Sequence, residues 1–174
     1  HQYPAYAYLL GMYLGDGHIS RMPRTWRLRV FLNCNRPDVI ARTAACITSV
    51  IPSGRVGFAV RGRCVQVVSY SRSWPRIFPQ SGAGRKHKRV IELEPWQRQL
   101  VERYPERFIA GCLESDGCRH RRIVRGRNYP AYSFSNRSED IIGLFCWACG
   151  LMGLRPRRAT AVTVSIALRR DVAR

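Results

Sequence analysis

Hydrophobic and polar positions follow the same order in both halves of the chain. In the first half, helical and alternating segments succeed one another at 4–15, 25–33, 39–51 and 55–71, the last turning at Arg61-Gly62. In the second half, the corresponding segments are 105–115, 122–135, 141–154 and 157–168. Apolar residues recur at helical spacing in the first and third segments, and alternate in the second and fourth. Each half is therefore predicted to form a helix, two strands, a helix and two strands.

The repeat divides the 174 residues into halves at 1–88 and 89–174, joined by a linker at about 79–95. The linker contains the flexible stretch Gly82-Ala83-Gly84, and its Pro95 suits the first turn of a helix. A half of this size would be marginally stable alone. The sequence thus predicts one α/β unit with a pseudo-twofold axis rather than two independent domains.

Two segments carry the clearest internal match, "LLGMYLGDG" at 9–17 and "IAGCLESDG" at 109–117. If both lie on helices, the small residues are spaced by four and allow the two backbones to cross closely. Asp16 and Asp116 then meet at the same end of the helix pair. Two adjacent carboxylates repel, and a helix C-terminus disfavours negative charge. The pattern predicts a divalent metal with oxygen ligands, most plausibly Mg²⁺, and a chain that turns sharply at Gly17 and Gly117.

The charge of the chain points to a polyanionic partner. Thirty Lys and Arg residues stand against eleven Asp and Glu, which gives a formal charge of +19, while 45% of residues are hydrophobic. A folded protein with so large a net positive charge is expected to bind nucleic acid, because the phosphate backbone is negatively charged. Lys86 and Lys88 are the two lysines, so the excess is arginine, whose fork suits phosphate and guanine edges.

Cysteines and apolar runs exclude other classes. The seven cysteines are an odd number without secretory features, which favours an intracellular, reducing compartment. Cys146 and Cys149 form a CxxC, but no second pair completes a zinc site, so they are interpreted as core thiols. No apolar run approaches the length of a membrane span. The sequence predicts neither a membrane role nor a small-molecule cofactor.

Polar side chains on alternate strand positions are the predicted DNA contacts, because two-stranded ribbons fit the major groove. In the stretch 26–33, arginines share one face while apolar residues share the other. The predicted DNA-facing residues are Arg27, Arg29, Asn33, Arg61, Arg63, Gln66, Tyr70, Arg125, Arg127, Tyr129, Ser133, Thr163, Ser165 and Arg169.

The two motifs resemble those of the LAGLIDADG homing endonucleases, in the single-chain form with two motifs. The match lies at the glycine, the penultimate acid and the terminal glycine of each nine-residue segment, and the repeat covers nearly the whole chain. The resemblance implies two αββαββα halves whose motif helices form the central interface, with antiparallel sheets forming a DNA-binding saddle. It implies a monomer that cuts both strands of a long asymmetric DNA site.

The resemblance also implies roles for single residues. Asp16 and Asp116 would bind Mg²⁺, with Gly15 and Ser115 completing the predicted metal-binding set; Mn²⁺ would substitute, and Ca²⁺ would bind without supporting cleavage. Lys86, with Lys88 as its substitute, would be the basic residue after the first repeat, and Arg169 or Arg170 that after the second. Asn35 and Asn136 would order water. The motifs differ at Leu14 and Glu114, an asymmetry that would tune the two cuts differently.

Two other functions remain open at this point. The same fold could serve as a DNA-binding regulator without catalysis, although such a protein has no use for a costly carboxylate pair. The positive charge would also suit a maturase that binds intron RNA, which competition between duplex DNA and structured RNA would distinguish.

Overall fold

A computed structural model describes residues 2–167 of the chain. The first half contains α1 (Gln2–Asp16), β1 (Gly17–Arg21), β2 (Trp26–Asn33), α2 (Pro37–Val50), β3 (Val56–Arg61) and β4 (Cys64–Tyr70). The connection contains α3 (Trp74–Ile77), a 3₁₀ turn (Lys86–Lys88) and α4 (Pro95–Arg103). The second half contains α5 (Pro105–Asp116), β5 (Gly117–Val124), β6 (Arg127–Ser135), α6 (Glu139–Leu151), β7 (Arg157–Thr160) and β8 (Thr163–Ile166).

The strands form two antiparallel sheets of four, in the orders β1-β2-β4-β3 and β5-β6-β8-β7. The predicted order of helix, two strands, helix and two strands is therefore confirmed in both halves. In the stretch 122–135 the sequence analysis named no turn; the structure has one at Arg125-Gly126, between β5 and β6. Within residues 2–167, no helix combines the length and apolar character that crossing a bilayer requires.

The two motif helices α1 and α5 cross backbone against backbone at the centre of the molecule. A Cβ added to Gly11 would lie 2.7 Å from the Cys112 nitrogen, and one added to Gly111 would lie 3.0 Å from the Met12 nitrogen and overlap the Tyr8 carbonyl. These atoms are backbone and cannot move aside. The predicted close crossing is confirmed, and it requires glycine at both positions.

The connection after the first sheet packs back onto α1. The Phe78 ring stacks on Tyr13 at 4.4 Å and on Tyr6 at 5.7 Å between ring centroids, and Trp74 is fully buried beside it. The buried Gln97 donates to the Tyr6 hydroxyl at 2.6 Å and accepts from Gln80 at 2.6 Å. These contacts hold the connection against the motif helix, because the buried polar groups of Gln80, Gln97 and Tyr6 are hydrogen-bonded to one another.

Candidate active site

The two motif aspartates meet because their helices cross close to their C-terminal ends. α1 ends at Asp16 and α5 ends at Asp116. A Cβ added to Gly15 would lie 2.7 Å from the Ser115 Cβ and 3.0 Å from Asp116 Oδ2, so the last turns of the two helices touch. Because Gly15 has no side chain, the Asp116 carboxylate of the second half can lie against the end of α1.

Gly17 and Gly117 follow the aspartates for a different reason from the one predicted. Gly117 is extended, with φ −99° and ψ 162°, so no left-handed turn is present there. A Cβ would instead lie 2.5 Å from the Leu113 Cα, and one on Gly17 would lie 2.5 Å from the Tyr13 Cα. Because neither glycine has a side chain, the chain can pass directly against the last turn of the preceding helix. The first strand of each sheet therefore begins immediately after the aspartate.

Burial raises the pKa of both aspartates. Desolvation raises the pKa of Asp16 to about 6, and the Asp116 carboxylate adds to the rise while Lys86 opposes it. Burial also raises the pKa of Asp116, against a hydrogen bond from Asn136 and the charge of Lys86. Two carboxylates held in this way disfavour their charged forms, and a cation between them would reverse that preference.

Lys86 projects from the connection onto the end of α1. Its ammonium donates to the carbonyl oxygens of Tyr13, Leu14 (3.0 Å) and Gly15 (3.1 Å), and it lies 4.8 Å from the Tyr13 ring centroid. Burial lowers its pKa to about 8, although both aspartates raise it. The ammonium satisfies carbonyls that the helix end leaves without partners. Lys88 is exposed, so of the two lysines Lys86 is the one at the site.

The two asparagines that the sequence pairs lie in different environments. Asn136 donates from Nδ2 to Asp116 Oδ2 at 2.7 Å, and its Oδ1 accepts from the Ser138 amide at 2.9 Å. Asn35 is exposed; its amide nitrogen donates to Asn33 Oδ1, and its own Oδ1 accepts from the Cys34 thiol. The structure thus brings Asn136 to the aspartates, whereas its described contacts leave Asn35 bonded to neighbours in its own corner.

Strand register explains why the two corners are not equivalent. Gly17 pairs with Val30 and Gly117 with Phe134, which aligns the two halves. Beyond Val30 the β2–β4 ladder continues for three further pairs, to Asn33, whereas beyond Phe134 the β6–β8 ladder continues for one, to Ser135. In the second half the chain therefore leaves the sheet two residues earlier, and Asn136 remains close to Asp116.

The remaining predicted metal-binding positions are engaged within the protein. The Gly15 carbonyl accepts from Lys86, and the Ser115 hydroxyl donates to the Cys112 carbonyl at 3.0 Å. Among residues 2–167, no group of three or more His, Cys, Asp or Glu side chains is placed to hold a metal ion. Two hard carboxylates nevertheless fit Mg²⁺, which typically takes one or two carboxylates and completes its shell with water and phosphate oxygens.

An open cavity of about 560 Å³ is lined by Asp116 and by residues that sequence reasoning missed. Lys86, Asp116 and Asn136 line it together with His18 and Arg89. Arg89 hydrogen-bonds Tyr13, and its Nε is buried without a hydrogen-bond partner in the described part of the chain. No pattern in the sequence distinguishes it from the other arginines of the chain.

The predicted strand residues lie on the sheet faces away from the helices. On β2, Leu28, Val30 and Leu32 are buried against the core. The intervening residues share the opposite face with their cross-strand partners, because directly paired residues point the same way. These pairs are Arg27 with Tyr70, Phe31 with Gln66, Asn33 with Cys64, Arg61 with Cys64, Ser133 with Ser165, and Ser135 with Thr163. Arg127 and Tyr129 follow the same parity as Ser133 on β6.

Two of the predicted DNA-facing arginines lie in turns rather than on strands. Arg63 lies in the turn between β3 and β4, and Arg125 lies in the β5–β6 turn with φ 49° beside Gly126 at φ 72°. Both were expected on strands, but the hairpins turn at these positions. Arg169 and Arg170 lie outside the described residues. Sequence reasoning left out three further side chains on the outer face of the second sheet, which are His120, Arg122 and Arg157.

Comparisons with known proteins show the fold. No protein-family model and no curated protein matches the sequence. Among solved structures, the chain is similar to the homing endonuclease I-DmoI in complex with DNA and Mn, at TM-score 0.65 and 12% identity over 99% of this chain and 94% of that one.

Two further neighbours agree. The N-terminal LAGLIDADG domain of DUF199/WhiA matches at TM-score 0.60 and 12% identity, over 99% of this chain and 79% of that one. The LAGLIDADG meganuclease I-AabMI bound to uncleaved DNA matches at TM-score 0.57 and 10% identity, over 96% and 80%. The chain therefore has the LAGLIDADG homing endonuclease fold, as the motif resemblance predicted.

Proposed function

We propose that this protein is a sequence-specific double-strand DNA endonuclease that cuts a long asymmetric site by metal-assisted phosphodiester hydrolysis. The observation that carries the proposal is the contact between the helix ends that bear Asp16 and Asp116, one from each repeat, at the base of two arginine-bearing sheets. One chain supplies both acids, with 1–88 and 89–174 as its two repeats, so we infer that it acts as a monomer.

The two carboxylates would hold the divalent ion, Mg²⁺ or Mn²⁺ in its place. Bound there, the ion would supply Lewis acidity and lower the pKa of coordinated water. Asn136 holds Asp116 in one orientation through its 2.7 Å hydrogen bond. Lys86 places a positive charge beside both acids, where negative charge develops on the phosphate during hydrolysis. The chain itself thus provides orientation and charge stabilisation.

DNA binding is supported by charge and shape together. The chain carries +19, and its exposed sheet faces present arginines, a glutamine, a tyrosine and hydroxyl side chains on alternate positions. Solved structures of I-DmoI and I-AabMI with the same fold include DNA complexes, and those of I-DmoI include complexes with Mn, Ca and Mg. Affinity should fall steeply with salt because several phosphates are neutralised.

A cleavage selection on a randomised duplex library tests this function. With Mg²⁺ we expect recovery of one family of cut sequences, and with Ca²⁺ binding of the same sequences without cutting. Failure to cut any duplex with Mg²⁺ or Mn²⁺, while a sequence-specific complex still forms, would identify a DNA-binding regulator instead. Preferential binding of structured RNA over the selected duplex would identify a maturase.

A further inference from the structure

The outer face of the first sheet is apolar at its centre. Read across β2, β4 and β3, its two central rows are Phe31, Gln66 and Ala59, and then Arg29, Val68 and Gly57. Phe31, Val68 and Ala59 are therefore diagonal neighbours on one face, and we call these three residues the apolar patch. Ala59 is exposed and the other two are half-buried, so the patch lies on the surface that the helices leave uncovered.

The matching positions of the second sheet are polar. Val30 pairs with Val67 in the first sheet as Phe134 pairs with Val164 in the second, which aligns the two sheets row by row. The residues that then correspond to Phe31, Val68, Ala59 and Gly57 are Ser135, Ser165, Thr160 and Arg157. The Ser135 and Thr163 hydroxyls lie 2.8 Å apart. One sheet thus presents hydrocarbon where the other presents hydrogen-bonding groups.

Gly57 leaves open space beside Val68. No atom of the described chain lies within 4 Å of a Cβ added to Gly57, and its φ is outside the left-handed region. Neither packing nor backbone conformation therefore requires glycine at this position. A glycine inside a strand weakens it, and it often marks a place where another molecule approaches the backbone closely.

Arginines lie around the apolar patch on the same face. The Arg29 guanidinium is 5.4 Å from the Phe31 ring centroid, and Arg27 and Arg61 lie in the rows on either side of the two central ones. Within residues 2–167 none of these three arginines forms an ion pair, so their charge is available to DNA phosphates. An apolar centre with a cationic surround fits the major groove, where the thymine C5-methyl group is the apolar feature.

We propose that the apolar patch recognises thymine: Phe31, Val68 and Ala59 contact C5-methyl groups in the half-site over the first sheet. The hydroxyl side chains and Arg157 of the second sheet read the other half-site through hydrogen bonds. This inference rests on the DNA binding in the proposed function and does not require cleavage. It makes thymine methyl groups important for affinity in one half-site only.

Replacement of thymine by deoxyuridine tests the proposal, because it removes the methyl group and keeps the base pair. A duplex selected for binding in Ca²⁺ is prepared with all thymines of one half-site replaced, and then with all those of the other. The dissociation constant should rise at least about threefold for one half-site, as expected for the loss of buried methyl contacts, and less than about 1.5-fold for the other.

Val68→Thr assigns the effect to the apolar patch, because it keeps the size of the side chain and replaces one methyl group by a hydroxyl. The ratio of the dissociation constants for the deoxyuridine and thymine duplexes should fall towards one in the sensitive half-site. Val60→Thr is the matched control: Val60 is 68% exposed and pairs with the buried Val65, so it lies on the opposite face of the same sheet. That variant should keep the wild-type ratio.

Circular dichroism and thermal unfolding establish that both variants are folded. No loss of affinity in either half-site, equal losses in both, or a loss that Val68→Thr leaves unchanged would overturn the assignment of thymine and leave DNA binding intact. A selected site without a preferred thymine would overturn it as well. Absence of any sequence-specific duplex complex would overturn the proposed function and the thymine contact with it.

Discussion

The two central helices carry matching motifs but lie in different surroundings. α1 buries every residue from Tyr6 to Leu14, whereas α5 buries Phe108, Ile109, Gly111 and Cys112. The connection after the first sheet packs on α1 through Phe78, while Leu113 of α5 borders an open cavity of about 650 Å³. The repeated small residues and acids thus fix the crossing in both halves, and the non-repeated chain around them makes the halves chemically different.

The largest expected effect is the loss of DNA cleavage when either of the two motif aspartates is replaced. Asp16→Asn and Asp116→Asn each keep the size of the side chain but remove a charge from the pair. Cleavage of the selected duplex should fall by roughly a thousandfold or more, as for residues that act as a unit, while binding in Ca²⁺ is largely kept. Full activity of either variant would show that the helix-end acids are not the reactive centre.

The packing around α1 and α5 can be compared by truncation. Phe78→Ala removes a ring that is fully buried against Tyr13, and should lower the free energy of unfolding by about 3–5 kcal/mol. Leu113→Ala, at the half-buried position on α5 that matches Tyr13, should cost about 1–2 kcal/mol. Urea denaturation measures both. Equal losses would contradict the claim that side chains pack more tightly around α1 than around α5.

The crossing itself is tested by adding one methyl group. Gly111→Ala drives a Cβ into the Tyr8 carbonyl and should destabilise the fold by about 2–4 kcal/mol. Gly143→Ala on α6 is the control, since no atom lies within 4 Å of its Cβ; helix propensity predicts a gain of about 0.5–1 kcal/mol there. Urea denaturation that finds Gly111→Ala neutral would exclude a backbone-to-backbone crossing.

The acid pair should make stability depend on pH in the absence of metal and DNA. The folded pKa of Asp16 is about 6 against an ordinary 3.8, so the folded state binds the proton more tightly than the unfolded state. This contribution is complete below pH 3.8 and is lost as pH rises through about 6. Asp16→Asn should therefore be more stable than wild type at neutral pH by about 1–3 kcal/mol.

The control for this pH effect is the same comparison of the two proteins at acidic pH. Near pH 4, where Asp16 is largely protonated in the folded state, thermal unfolding of wild type and Asp16→Asn should converge. A wild-type advantage at neutral pH without divalent ions would mean that neither burial nor the Asp116 carboxylate raises the pKa of Asp16.

The repeat, the acids and the crossing glycines could be predicted because each leaves a local pattern in the sequence. Gly11 and Gly111 mark the close approach, and Asp16 and Asp116 follow from it. The environment of Asn35 could not be predicted, since it depends on how far each strand ladder continues. Ladder length is a tertiary property, decided by where a chain leaves its sheet.

The direction of the Lys86 side chain in the linker could not be predicted from the sequence either. Lys86 was a candidate from its position after the first repeat, but its inward direction depends on a 3₁₀ turn and on Phe78 and Gln80 holding the connection. Arg89 was missed because an isolated linker arginine on a chain with this many arginines carries no distinguishing pattern.

Mn²⁺ binding to the complex with the selected duplex, measured by electron paramagnetic resonance, tests the central claim most directly. The claim is that Asp16 and Asp116 together form a divalent-ion site against DNA. Wild-type protein should bind Mn²⁺ that Mg²⁺ displaces, and the Asp16→Asn/Asp116→Asn double variant should lose that binding while retaining the duplex. Equal Mn²⁺ binding by the two proteins would contradict the claim.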